Sequence, residues 1–124
     1  MSNVTTHVLD TARGKPAAGV AIVLFRQDAG AFVELGRGKT DEDGRLRTLL
    51  DGRPLVRGIY RLDFATRDYF AGQGLACFYP EVSVTFEIVD ETSHHHVPLL
   101  VSPYGYSTYR GSLWTPTSAR YSTW

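Results

Sequence analysis

Apolar and polar residues alternate along most of this chain. The clearest case is Tyr79 to Val89, where Val82, Val84, Phe86 and Ile88 take turns with Glu81, Ser83, Thr85 and Glu87. A period of two puts the first set on one face of a strand and the second on the other, the pattern of an antiparallel sheet with one side in water. Gly58 to Ala65 repeats it, with Tyr60, Leu62 and Phe64 against Ile59, Arg61 and Asp63. Val4 to Asp10 sets Val4, Thr6 and Val8 against Thr5, His7 and Leu9. Further strands are predicted over Gly19 to Arg26, Ala31 to Lys39, Arg45 to Leu50, His94 to Val101 and Tyr104 to Arg110. Turn residues separate them, at Arg13-Gly14-Lys15-Pro16, Gln27 to Gly30, Thr40 to Gly44, Asp51-Gly52-Arg53-Pro54 and Ser102-Pro103. One stretch reads as a helix of about two turns, Thr66 to Gly72, with Thr66 as its N-cap and Gly72 and Gly74 as its stop. Eight short strands with almost no helix predict an all-β sandwich.

Composition narrows the picture. A chain of 124 residues fits one domain that buries a core without a staple. Thirteen basic residues balance thirteen acidic ones, so no net charge draws the chain to nucleic acid or an anionic membrane. The lone Cys77 excludes an internal disulfide and a cysteine-based zinc cluster, and reads as a small buried hydrophobe. There is no visible secretory signal and no apolar run near the ~20 residues that span a bilayer. A soluble, cytoplasmic protein is expected.

Chemistry concentrates in His94 to Ser112, HHHVPLLVSPYGYSTYRGS. On a strand His94 and His96 share a face with Pro98 and Leu100, and His95 falls opposite with Val97, Leu99 and Val101. Were the strand carrying His7 alongside, His7, His94 and His96 would converge. Three imidazoles so placed suit zinc with an open position for water. They equally suit acid–base work without metal, or an exposed polar face. Arg45, next to Gly44 at a turn, suits a planar anionic or amide-bearing ligand, and equally a solvated surface. Tyr104 and Tyr106 share a face and read as core or interface aromatics; Tyr109 falls opposite with Ser107, placed to meet a ligand. Three motif matches fail. Val33 stands where Gly38-Lys39-Thr40 would need the first glycine of a phosphate loop. Leu50 stands where a calcium loop after Asp41-Glu42-Asp43-Gly44 needs glutamate. Gly105 to Tyr109 lacks the second glycine of a nucleophile elbow.

Three segments together resemble the transthyretin-related 5-hydroxyisourate hydrolases. They are Thr6-His7-Val8-Leu9-Asp10 with Arg13-Gly14-Lys15-Pro16-Ala17, then Asp43-Gly44-Arg45, then His96 through Tyr109-Arg110-Gly111-Ser112. The resemblance runs from about Val4 to Ser112, and its specific part is the closing Tyr-Arg-Gly-Ser. It implies a two-sheet transthyretin-like sandwich with one short helix, assembled as a homotetramer whose sites lie in a channel between dimers. It also implies hydrolysis of 5-hydroxyisourate, a purine-derived product of urate oxidation, to a ureido-imidazoline carboxylate, with no cofactor. His7, Arg45, His96 and Ser112 would then be catalytic, and His7, Arg45, Tyr109, Arg110 and Gly111 would bind substrate. The alternatives are a zinc-dependent variant using His7, His94 and His96, and a transthyretin-like carrier of a small ligand without catalysis. The carrier has other side chains where His7, Arg45 and His96 stand and lacks the Tyr-Arg-Gly-Ser run. Two features depart from the family: His95 replaces a common tyrosine, and residues 113–124 extend past the usual end. Residues 1–112 are accordingly expected to form the domain and 113–124 an atypical tail.

Overall fold

A computed structural model describes residues 3–111. Ser112 and the expected tail, 113–124, lie outside the described residues. The elements, in chain order, are β1 (Val4–Asp10), β2 (Lys15–Pro16), β3 (Ala21–Asp28), β4 (Ala31–Lys39), β5 (Arg45–Leu46), β6 (Gly58–Phe64), α1 (Thr66–Ala71), β7 (Val82–Ile88), β8 (His95–Ser102) and β9 (Gly105–Thr108). The strands form two sheets. One has the order β4-β3-β6-β7; the other has the order β2-β1-β8-β9, with β5 also paired to β1.

Alternation decides which side chains meet between the sheets. Val4, Val8, Val97, Leu99 and Val101 from one sheet join Ile22, Leu24, Tyr60, Leu62, Phe64, Val82 and Ile88 from the other in a single buried cluster. Each such side chain contributes about 1.5–3 kcal/mol by leaving water. Tyr60 is fully buried and keeps its hydroxyl satisfied by donating to the Val56 carbonyl at 2.6 Å. Arg61 and Asp63 pair at 2.9 Å on the wet face of the same strand.

Every expected strand is present; Val4–Asp10 and Ala31–Lys39 keep the expected ends and the other six differ at one end or both. Arg45 to Leu50 forms a ladder only over Arg45–Leu46, because Leu49 and Leu50 leave the sheet edge to bury their side chains in the core. Lys15–Pro16, expected as turn alone, also pairs with Leu9 and Asp10. The buried Asp10 carboxylate fastens that corner by accepting from the Ala12 and Arg13 amides and the Tyr69 hydroxyl. Thr66 is not the N-cap. Its hydroxyl donates to the Tyr79 carbonyl at 2.9 Å, and Ala65 takes the cap position without a side-chain bond. One ladder breaks the antiparallel rule: β1 and β8 run parallel over seven residues, Val4 opposite His95 through Asp10 opposite Val101.

Candidate active site

The parallel ladder builds the site. β1 lies between β5 on one side and β8 on the other, with His7 opposite Arg45 and Thr5 opposite His96. Side chains directly opposite in a sheet stand about 5 Å apart at Cβ. Thr5 and His7 are two residues apart, so they share the face turned away from Val4 and Val8. Arg45, His7, Thr5, His96 and His94 therefore form one polar band across three strands.

Each ring in this band is held. His7 Nε2 donates to the Asp43 carbonyl at 2.9 Å, since a carbonyl oxygen only accepts; in the neutral ring Nδ1 is then the basic nitrogen. That carbonyl belongs to the turn whose Gly44 precedes Arg45. Gly44 has φ of 77°, and a Cβ there would collide with the Val8 carbonyl oxygen. The turn presses so closely because the Val8 amide donates to the Gly44 carbonyl at 2.7 Å. The Asp41 carboxylate accepts from the amides of Asp43 and Arg45, both at 2.9 Å, which fixes where Arg45 leaves the turn.

His96 is 8 % exposed. Its Nδ1 lies 2.8 Å from Thr5 Oγ1, and the same oxygen lies 2.8 Å from Nε2 of the half-buried His94. Among the described residues His96 Nε2 is buried with no hydrogen-bond partner. Burial, followed by the charges of His7, His94, Arg45 and Arg47, pushes the His96 pKa down to about 4. The ring is neutral at pH 7, with one nitrogen that no described residue satisfies, a state expected of a group that works on a ligand.

Gly111 packs against that ring. Its amide donates to the His96 carbonyl at 2.8 Å, and a Cβ on it would stand 2.5 Å from His96 Cδ2. Replacing Gly111 by alanine should therefore shift the imidazole and lower turnover by roughly 10–10²-fold, as small misplacements do. The melting temperature should change little. A turnover rate equal to the parent's would show that the ring position is not set by this contact.

The structure separates the remaining residues that sequence singles out. Tyr109 and Arg110 lie beyond the end of β9 and line a cavity of about 240 Å³ together with Val84, Phe86, His95 and His96. His7 and Arg45 are not among its lining residues. His95 points inward as alternation predicts, is 4 % exposed, and donates from Nδ1 to the Ser93 carbonyl at 3.1 Å. The rings of His94 and His96 stack at 6.4 Å between centroids with the Thr5 hydroxyl bridging them. Among the described residues no three of His, Cys, Asp or Glu are arranged to hold a metal ion. Sequence reasoning passed over Thr5 and Arg47. The signal for Thr5 was available, because a hydroxyl two residues before His7 shares its face.

Fold and site together define a two-sheet β-sandwich protein whose outer sheet face carries imidazoles and a guanidinium able to move protons and steady an anion. The profile described as the HIUase/Transthyretin family matches residues 4–111, and the chain belongs to that family. It is 50 % identical to the 5-hydroxyisourate hydrolase of Caulobacter vibrioides, over 90 % of this chain and 100 % of that protein. The solved structure of Klebsiella pneumoniae 5-hydroxyisourate hydrolase is 36 % identical with a TM-score of 0.79, covering 90 % of this chain and 100 % of that one. Sea bream transthyretin, solved in complex with thyroxine, is 29 % identical with a TM-score of 0.84, covering 91 % and 97 %. The backbone thus matches the carrier at least as well as the hydrolase, and shape alone does not separate the two activities.

Proposed function

We propose that this chain hydrolyses 5-hydroxyisourate, opening its ring at a cyclic amide C–N bond to give 2-oxo-4-hydroxy-4-carboxy-5-ureidoimidazoline. The observation that carries the reading is the placement of His7, Arg45 and His96 on one sheet face by the β5-β1-β8 pairing. Ring opening by water needs a base for the nucleophile, a cation beside the carbonyl oxygen as it gains charge, and an acid for the departing nitrogen. In this reading the two imidazoles handle the protons, and Arg45, as a planar fork of donors, binds the flat polar substrate and steadies the oxyanion. In the same reading Ser112 is catalytic and Tyr109, Arg110 and Gly111 bind substrate; Tyr109 and Arg110 share a cavity with His96. Support for including that run comes from Gly111, which seats against His96.

A homotetramer is part of the reading. β7 is one edge strand of the first sheet and β9 one edge strand of the second, and exposed Phe78, Val89, Tyr104 and Tyr106 lie on or near them. Unpaired edges flanked by apolar surface favour association. A cytoplasmic location agrees with the single free cysteine, Cys77. Among the described residues no helix is long and apolar enough to cross a membrane.

The test is direct. Full-length protein is added to 5-hydroxyisourate generated from urate by urate oxidase, and the decay of its absorbance is followed with and without a chelator. Accelerated decay that survives chelation, from a sample sedimenting at the tetramer mass, is expected. Decay at the uncatalysed rate would overturn the hydrolase reading. Loss on chelation with recovery on added zinc would replace histidine-assisted attack with a metal-dependent one, and a monomer would remove the tetramer.

A further inference from the structure

The hydroxyl of Thr5 stands between two imidazoles, 2.8 Å from His96 Nδ1 and 2.8 Å from His94 Nε2. Thr5 is 6 % exposed, and its side chain belongs to the polar band and not to the core. A hydroxyl has one proton to give. When Thr5 donates to His94 Nε2 and accepts from His96 Nδ1–H, the proton of neutral His96 is on Nδ1, and Nε2 is a lone pair. When Thr5 donates to His96 Nδ1 and accepts from His94 Nε2–H, His96 carries its proton on Nε2. The orientation of one hydroxyl thus decides whether the buried, unpartnered Nε2 acts as base or as acid.

We propose that Thr5 and His94 form a proton relay behind His96, which converts His96 from base to acid within one turnover. The proposal rests on the hydrolase reading above. The cycle starts with His96 protonated on Nδ1 and His94 on its own Nδ1. His96 Nε2 takes a proton from the attacking water as the oxygen bonds to the substrate carbonyl carbon. The Nδ1 proton then passes to Thr5 Oγ1 while the hydroxyl proton of Thr5 passes to His94 Nε2. His96 is left neutral with its proton on Nε2, and the positive charge rests on His94. Collapse of the tetrahedral intermediate breaks the C–N bond. The departing nitrogen takes the Nε2 proton, His96 Nδ1 regains one from Thr5, and Thr5 regains one from His94. The net transfer is one proton from water to nitrogen, and all three side chains end as they began.

The surroundings favour that direction of charge movement. Around His96 stand His7, His94, Arg45 and Arg47, all of which oppose a positive ring. His94 is opposed chiefly by burial and by His95, but it is the less enclosed of the two rings. Charge held on His94 is nearer water and farther from the guanidinium that must face the oxyanion.

Five chains test this: the parent, Thr5→Val, Thr5→Ser, His94→Gln and the Thr5→Val/His94→Gln double variant. Valine keeps the β-branched shape and removes the hydroxyl; serine keeps the hydroxyl. Thr5→Val is expected to lower kcat at least ~10-fold with KM changed less than about 2-fold, and Thr5→Ser to return kcat to within about 3-fold of the parent. His94→Gln should give a similar loss, with the double variant no slower than the worse single one, as expected for members of one chain of transfers. In H₂O–D₂O mixtures the parent kcat should curve with deuterium fraction and that of Thr5→Val should be linear. Parental kcat in Thr5→Val, no recovery with serine, losses that multiply in the double variant, or a linear response in the parent would each overturn the relay. The isotope response of the unaltered chain decides the matter even where a variant does not fold. An unaltered chain that turns over no 5-hydroxyisourate would instead overturn the hydrolase reading itself.

Discussion

Alanine in place of His96 will lower kcat/KM for 5-hydroxyisourate by at least ~10²-fold, the amount typical of a positioned proton-transfer group. That loss corresponds to about 2.7 kcal/mol of transition-state stabilisation. His7→Ala should lose as much, because the Asp43 carbonyl that fixes its Nε2 proton has no purpose once the ring is gone. The two substitutions should differ in their effect on stability. Burial in the native chain pushes the His96 pKa from its ordinary 6.5 down to about 4. Between those values the unfolded chain binds more protons, so native stability falls as pH is lowered through the window. His96→Ala should remove that part of the acid sensitivity, and urea midpoints compared at pH 7 and pH 5 will reveal it. Turnover near the parental rate in both alanine variants would show that the chemistry is elsewhere in the molecule.

Gly44→Ala will destabilise the fold by on the order of 2–3 kcal/mol, the upper part of the range for a residue forced into left-handed backbone. Two costs add. The φ of 77° disfavours any side chain, and the added methyl meets the Val8 carbonyl at the point where Val8 and Gly44 are hydrogen-bonded. Gly14 separates them, since it has φ of 69° with no atom within 4 Å of where a Cβ would be. Gly14→Ala should show only the conformational cost, about 1–2 kcal/mol. Equal losses in the two variants, measured by denaturant unfolding, would show that the contact with Val8 adds nothing. Activity should fall further in Gly44→Ala than its stability alone explains, because the turn supplies both the acceptor for His7 and the position of Arg45.

Faces were legible in the sequence. Thr5 with His7, His94 with His96, and His95 with Val97 all follow from a period of two, and they stand as alternation places them. Adjacency was not legible from local pattern. Nothing within Val4–Asp10 or His95–Ser102 says that Thr5 faces His96 across 91 residues of chain; only the family resemblance implied that His7, Arg45 and His96 share a site. Element ends were missed where a side chain had a better partner elsewhere. Thr66 gives its hydroxyl to Tyr79, and Leu49 and Leu50 give up a ladder for the core. The resemblance implies that Gly111 binds substrate; that it also leaves room for an imidazole is not legible without knowing what lies across from it.

The parallel ladder between β1 and β8 also governs when the site comes into being. The first strand leaves the ribosome long before its neighbour is synthesised, and closing so long a loop is slow compared with forming hairpins such as β3–β4. The four-stranded sheet is complete in sequence by Ile88, before any residue of β8 is made. A nascent chain halted there carries the strands of one layer of the sandwich yet has neither His94 nor His96 to set beside Thr5, so the proposed site is completed in a single late step.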